Sequence, residues 1–346
     1  DYDVLPAPLW LVTLLHVLTL TLHFAAMGCL FGGLLALFAA RLPGGLENPN
    51  ARRLVKLFPT LMAATVTLGV APLLFAQLVY GKVLYSAAIV SGWFWLGVPM
   101  AAMLAYACLY AAAFTKRGPA RVRVWLLLAL AGLVFVSVTY SSVFSLAERP
   151  EAQKTHYAGD TSGMVWLPDV GAWIFRWLHM LTGALTVGGF FLGVLGRKDE
   201  AAWAKGKLLF TLGTGAAFVT GMIYLLTLGD VLAPFMRSAG IYSLTVGILA
   251  AVVAVPLYLM RKLVWSGVAL GLGVMGMVHA RHVVRDVRLE GHFDAKAIGV
   301  DPQWAVFALF AVCLVIALGA VAWMLRVFFK TCLLYTSDAA DEGVEG

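Results

Sequence analysis

Charge is scarce in this chain. Asp, Glu, Lys and Arg make up 12% of its 346 residues, about half the share of a soluble globular domain. That shortage excludes an ordinary soluble enzyme. Cysteine is scarce as well: of Cys29, Cys108, Cys313 and Cys332, three lie inside apolar runs with no close pairing, which excludes a disulfide framework and a zinc site. Acidic residues are missing from the middle of every long apolar run, which counts against a buried-carboxylate proton relay or a cation transporter. Strand-like alternation is missing too, because the runs are too long and too rich in Leu, Ala and Gly. What the chain has in excess is apolar surface, with 62% hydrophobic residues and a mean hydropathy of +0.89. No single water-soluble core hides that much. The fold class expected is all-α, polytopic and membrane-embedded, with the lipid bilayer as its first partner. The surplus of 25 Lys+Arg over 18 Asp+Glu is scattered through short loops, where it sets topology; nucleic acid is not an expected partner.

A spanning helix needs about 20 apolar residues. Nine runs qualify: about 9–40, 57–80, 93–115, 122–146, 171–195, 207–228, 241–260, 263–283 and 303–327. Placing the N-terminus outside puts Arg52, Arg53, Lys56, Lys116, Arg117, Arg197, Lys198, Arg261, Lys262, Arg326 and Lys330 on the cytoplasmic side, as the positive-inside rule asks. Arg281, Arg285 and Arg288 are exceptions on the outer side. The organisation expected is a four-helix unit (1–146), an outer loop (147–170), a second four-helix unit (171–284) and a loop with a ninth helix (285–330). The chain opens on Asp1 with no signal-peptide pattern. Residues 331–346, TCLLYTSDAADEGVEG, break in composition from everything before them and are expected to be a non-native tail.

A weak repeat underlies the helices. Leu15-His16-Val17-Leu18-Thr19 in the first run matches Leu178-His179-Met180-Leu181-Thr182 in the fifth, and each is followed by glycines (Gly28, Gly32 and Gly33; Gly188, Gly189 and Gly193). The second and sixth runs share Thr67-Leu68-Gly69 and Thr220-Gly221. Small residues at such spacing imply closely packed helices.

Histidine inside a membrane needs a partner, a cofactor or a water path. His156, His282 and His292 fall in outer loops or at a helix end and read as solvated. His16, His23, His179 and His279 lie within apolar runs, with His16, His179 and His279 at similar depth and His23 seven residues below His16. Helix-borne imidazoles facing a bundle interior are axial ligands for b-type haem. The bland alternative is four hydrogen bonds between helices. In the second run Pro72 removes a backbone donor and is expected to break the helix after Gly69. Gln77, Tyr80 and Tyr85 follow, either as part of an aromatic belt or as a quinone pocket.

These residues resemble subunit I of the cytochrome bd quinol oxidases. The likeness runs in patches over about residues 9–260: Leu178-His179 to Ala184, Gly189 to Gly193, Arg197-Lys198-Asp199, Ala204-Lys205 and Leu228-Gly229-Asp230. It extends to Leu18-Thr19 with His23-Phe24, and to Gly69-Val70-Ala71, Gln77, Gly81 and Tyr85-Ser86. It implies that His179 is an axial ligand of a low-spin b haem and that His23 serves a haem of an oxygen-reducing pair. Departures are equally specific. The loop at 229–240 is too short for the family's quinol site, no matching methionine stands in the seventh run, and no buried carboxylate is in view. His279 is the substitute second ligand, with His16 a further candidate from the repeat. The function expected is therefore b-haem electron transfer, with haem b as cofactor and quinone as substrate. The setting expected is the inner (cytoplasmic) membrane of a bacterium or archaeon, with other respiratory subunits or an outer c-type cytochrome as partners. A bd-type oxygen reductase and a haem-free scaffold or permease are the alternatives.

Overall fold

The computed structural model describes residues 4–316, together with Gly319 and Trp323. The chain is all-α, with eight helices long and apolar enough to cross a membrane: Leu9–Ala40, Pro49–Val90, Gly92–Phe114, Pro119–Ala147, Ile174–Leu195, Glu200–Leu226, Gly240–Leu259 and Leu263–Leu289. They are called the first to eighth spans below. The predicted ninth run is helical over Trp304–Ile316; apart from Gly319 and Trp323, the remainder of that run and the 331–346 tail lie outside the described residues.

Residues Trp10–Ala297 form one compact unit containing the eight spans. The other unit holds the described residues 4–9 and 298–316. There β1 (Val4–Leu5) pairs in parallel with β2 (Gly299–Val300), and Asp301 and Gln303 donate backbone hydrogen bonds to the carbonyls of Leu5 and Pro6.

Two expectations change. The second span is not 57–80 alone: helix runs over Pro49–Val90, as two stretches joined at a kink at Tyr80. Nor does Pro72 break it. The helix runs through Pro59 and Pro72 and leaves helical geometry at Tyr80 (φ −109°, ψ 18°). Membrane helices tolerate proline because neighbouring groups satisfy the backbone it disturbs; here the first span supplies a ring N–H to the Pro72 carbonyl. The eighth span also runs on, to Leu289 instead of about 283. That extension turns residues expected in a loop into one end of a helix.

Packing differs between the two halves of the bundle. At the cytoplasmic half expected from topology, small residues bring backbones together. A Cβ on Gly32 would lie 1.7 Å from the Ala184 carbonyl oxygen, and one on Gly188 would lie 2.0 Å from the Gly32 carbonyl oxygen. The first span makes this approach through a π-helical turn, Gly28–Gly32. Towards the other end the first, fifth and sixth spans bury less. Past Gly213 no residue of the sixth span is buried, and before Ala184 the only buried residue of the fifth is Arg176. In Leu9–Met27 only Val12, His16 and Val17 are buried. The second and fourth spans stay packed there, with Leu84, Ala87, Val143 and Leu146 in one buried cluster. The intramembrane histidines lie at this end.

Candidate functional site

Each histidine singled out in the first and fifth spans uses Nδ1 to reach a backbone carbonyl on the next span. His16 reaches Pro72 at 3.1 Å, His23 reaches Thr65 at 3.0 Å and His179 reaches Ala217 at 2.8 Å. A carbonyl only accepts, so Nδ1 carries the proton and Nε2 keeps its lone pair. Glycine makes room for two of the rings. A Cβ at Gly69 would lie 2.9 Å from the His23 ring, and one at Gly221 would lie 2.9 Å from the His179 ring. The two arrangements match: an imidazole bonds the carbonyl at one position and covers the glycine four residues later. Structurally, His179 therefore corresponds to His23, although the sequence repeat aligns it with His16.

His279 is held differently. Its Nδ1 lies 2.6 Å from the Ser243 hydroxyl, and its ring lies 6.4 Å from that of His282, centroid to centroid. It shares no ring contact with His179. The expected solvated reading of His282 is overturned: this side chain is 7% exposed and lies 5.9 Å from the His16 ring, between centroids. It is buried because the eighth span continues as helix past 283 and turns His282 inward. His156 and His292 remain partly exposed, at 3.0 Å from Asp169 and 3.5 Å from Glu151 respectively.

The three quinone-pocket candidates differ in burial. Tyr80 is buried and Gln77 half-buried, whereas Tyr85 is 54% exposed. The helix distortion at Tyr80 directs that side chain to the eighth span. Its hydroxyl donates to the Asp286 carboxylate, the Arg285 guanidinium lies 4.4 Å over its ring, and its edge meets His282.

Around this end is a polar cluster that reading the sequence missed. Glu148, directly after the fourth span, is 3% exposed in its side chain. It accepts from Arg281, and Arg288 lies 3.8 Å away. Arg176, one turn before His179, is 7% exposed and donates to the Ser141 carbonyl. Burial by itself would raise the Glu148 carboxyl; Arg281, Arg176, Arg288 and Arg285 instead hold it below the ordinary carboxylate value. So a buried carboxylate does exist, just past the end of the fourth span and not in its middle. The signal for it was the row Arg281, Arg285 and Arg288 at helical spacing, which reads as loop charge if the helix is ended at 283.

Among the described residues, no three His, Cys, Asp or Glu side chains form a group able to hold a metal ion. Single imidazoles with a pinned Nδ1 and an uncommitted Nε2 suit an iron whose other positions are filled by a macrocycle. His16 Nε2 in particular is buried without a hydrogen-bond partner. The residues fit a haem on that count. No protein-family model matches the chain, and no curated protein matches it.

Proposed function

We propose that this chain is a haem b subunit of a membrane respiratory complex, passing electrons between a quinone pool and a redox partner outside the cytoplasmic membrane of a bacterium or archaeon. The observation that carries this reading is the repeated posture of His23 and His179. Each ring is oriented by a carbonyl, seated over a glycine and left with an unpaired Nε2, as a metal-bound histidine oriented by its surroundings would be. His179 and His23 would each ligate a haem, which when bound supplies one-electron redox chemistry. The chain's own work is to orient the ligands through Ala217 and Thr65, exclude water with apolar spans and set the local charge. Four arginines (Arg176, Arg281, Arg285 and Arg288) face two carboxylates (Glu148 and Asp286) at the histidine end, a balance suited to an anionic cofactor. The resemblance to cytochrome bd subunit I supports the same reading. Nine spans arranged as two four-helix units plus one, with the N-terminus outside, belong to this proposal, and the matching His23 and His179 arrangements support the repeat.

The specific observation favouring a second reading, quinol:oxygen reduction, is His23, which matches the position serving the family's oxygen-reducing pair. A visible spectrum of the purified protein tests both. Reduced-minus-oxidised bands of b type support the first reading, and added d-type absorption supports the second. No haem absorption refutes both and leaves the scaffold or permease. In His179→Ala a low-spin haem signal should vanish while the protein still inserts; full retention of that signal removes His179 as a ligand.

A further inference from the structure

We propose that His16 and His282 together hold one haem iron between the first and eighth spans. The inference rests on the haem reading above and deepens it by adding a ligand that the sequence placed in solvent.

Both imidazoles are buried, at 6% and 7% exposed, and each has one nitrogen engaged and one idle. His16 Nδ1 donates to the Pro72 carbonyl, which leaves a lone pair on Nε2; that atom is buried with no partner. His282 Nε2 faces the Asp286 carboxylate at 3.5 Å. A carboxylate only accepts, so the proton belongs on Nε2 and the lone pair on Nδ1, which is again buried with no partner. Two idle lone pairs on neighbouring buried rings are costly unless something accepts them. A metal ion does so.

The spacing agrees. Two imidazoles bound across one metal, each with a bond of about 2.0 Å, put their ring centroids about 6.3 Å apart. The centroids here are 5.9 Å apart, with the rings tilted by 47°. The donor count then selects the kind of metal centre. A bare ion takes three or four protein ligands, and among the described residues no such group exists. An iron whose macrocycle fills four positions asks the protein for two. His282 is preferred to His279 as the partner here because its ring is the one that meets the His16 ring. The Pro72 carbonyl and Asp286 take the orienting roles that metal-bound histidines need from their surroundings.

The test uses purified full-length protein in detergent, with haem assayed as the pyridine haemochrome and total Fe, Cu and Zn measured by elemental analysis. Variants are His16→Ala, His282→Ala, the double variant, His282→Met and, as control, the loop substitution His156→Ala. His16→Ala and His282→Ala should each lose the same single haem equivalent, and the double variant no more than that. His282→Met should keep the haem but raise its reduction potential, because a thioether replaces an imidazole; this arm separates ligation from a folding defect. His156→Ala should match wild type. Full haem content with an unchanged spectrum in His16→Ala or His282→Ala overturns the pairing. Loss of a bare metal ion in place of haem overturns it as well. Wild-type protein without haem sinks this inference and the general reading together. Haem that His179→Ala loses, and that both His16→Ala and His282→Ala retain, sinks this inference alone.

Discussion

Replacing Glu148 by Gln should destabilise the bundle more than any other single charge removal. The carboxylate is 3% exposed, and its neighbours Arg281 and Arg288 are 22% and 13% exposed; Arg176 is 7% exposed. Glutamine keeps the shape and one acceptor oxygen but leaves these guanidinium groups without a counter-charge. Breaking a buried ion pair from one side costs about 3–5 kcal/mol. Arg281 retains some access to water, so about 3 kcal/mol is expected. At roughly 2–4 °C per kcal/mol, the midpoint of thermal unfolding in detergent should fall by about 6–12 °C. Acid supplies the internal control. The folded carboxyl is held below its ordinary value of 4.5, so its contribution is complete above the unfolded pKa and is lost as pH falls through the folded one. Wild type and Glu148→Gln should therefore differ fully at pH 7 and converge in acid, as pH falls through the lowered pKa of the folded carboxyl and it takes up its proton. A midpoint within a degree of wild type at pH 7 would refute the argument. So would a gap that persists undiminished in acid.

Three further outcomes are expected. Gly221→Val should act like His179→Ala, because a Cβ there lies 2.9 Å from the ring and would push it off the Ala217 carbonyl; retention of the haem spectrum would count against the ligand posture described. Gly32→Leu should abolish assembly of a monodisperse protein, because a side chain there meets the Ala184 carbonyl at 1.7 Å, and size-exclusion chromatography in detergent reads it. Tyr80→Phe should cost about 1 kcal/mol, the usual worth of one hydrogen bond, and thermal unfolding should show a midpoint shift of a few degrees.

Much of the architecture was legible because lipid leaves helices as the only structure for long apolar runs. Eight of the runs correspond to the eight spans, the second and eighth with shifted ends, since each is long and mostly apolar. The errors share one cause: apolarity marks where a helix is buried in lipid, not where hydrogen bonding ends. The second run was ended at 80, where the chain does leave helical geometry at Tyr80 before continuing to Val90, and the eighth was ended at about 283 although its helix continues to Leu289. Tyr80 and His282 lay inside the runs as read, but Arg285, Asp286 and Arg288 were left in a loop, so the cluster they form was hidden. The sequence match pairs His179 with His16, whereas in the structure His179 shares its posture with His23, two turns further on. Leu-His-x-Leu-Thr is a similarity of letters, whereas an imidazole seated on a glycine across a helix pair becomes visible only when the pair is assembled. Gly69 and Gly221 were noted for their likeness; their role as seats for His23 and His179 needed the neighbouring span.

The final prediction concerns oxygen. Reducing it fully takes four electrons and four protons at a dry site, with an entry point for quinol. A membrane-embedded proton path is usually built from buried carboxylates. In the eight spans the acids stand near the ends: Glu200 opens the sixth, and Asp286 lies in the last turn of the eighth. Glu148 is buried but follows the fourth span and is committed to arginine, so it stays charged and is a poor carrier of a proton into the interior. The segment between the sixth and seventh spans holds only a short helix, Leu232–Arg237, with a 3₁₀ turn, Gly229–Val231, before it. That is too little chain to enclose a quinol as the family's long loop does. His23 argues the other way, since its position matches a ligand of the oxygen-reducing pair. Weighing one ligand against a missing proton path and a missing loop, we expect haem reducible by a quinol analogue and no appreciable oxygen uptake by the purified full-length chain. An oxygen electrode decides it: cyanide-resistant, quinol-driven consumption would overturn this expectation and make oxygen reduction the first reading.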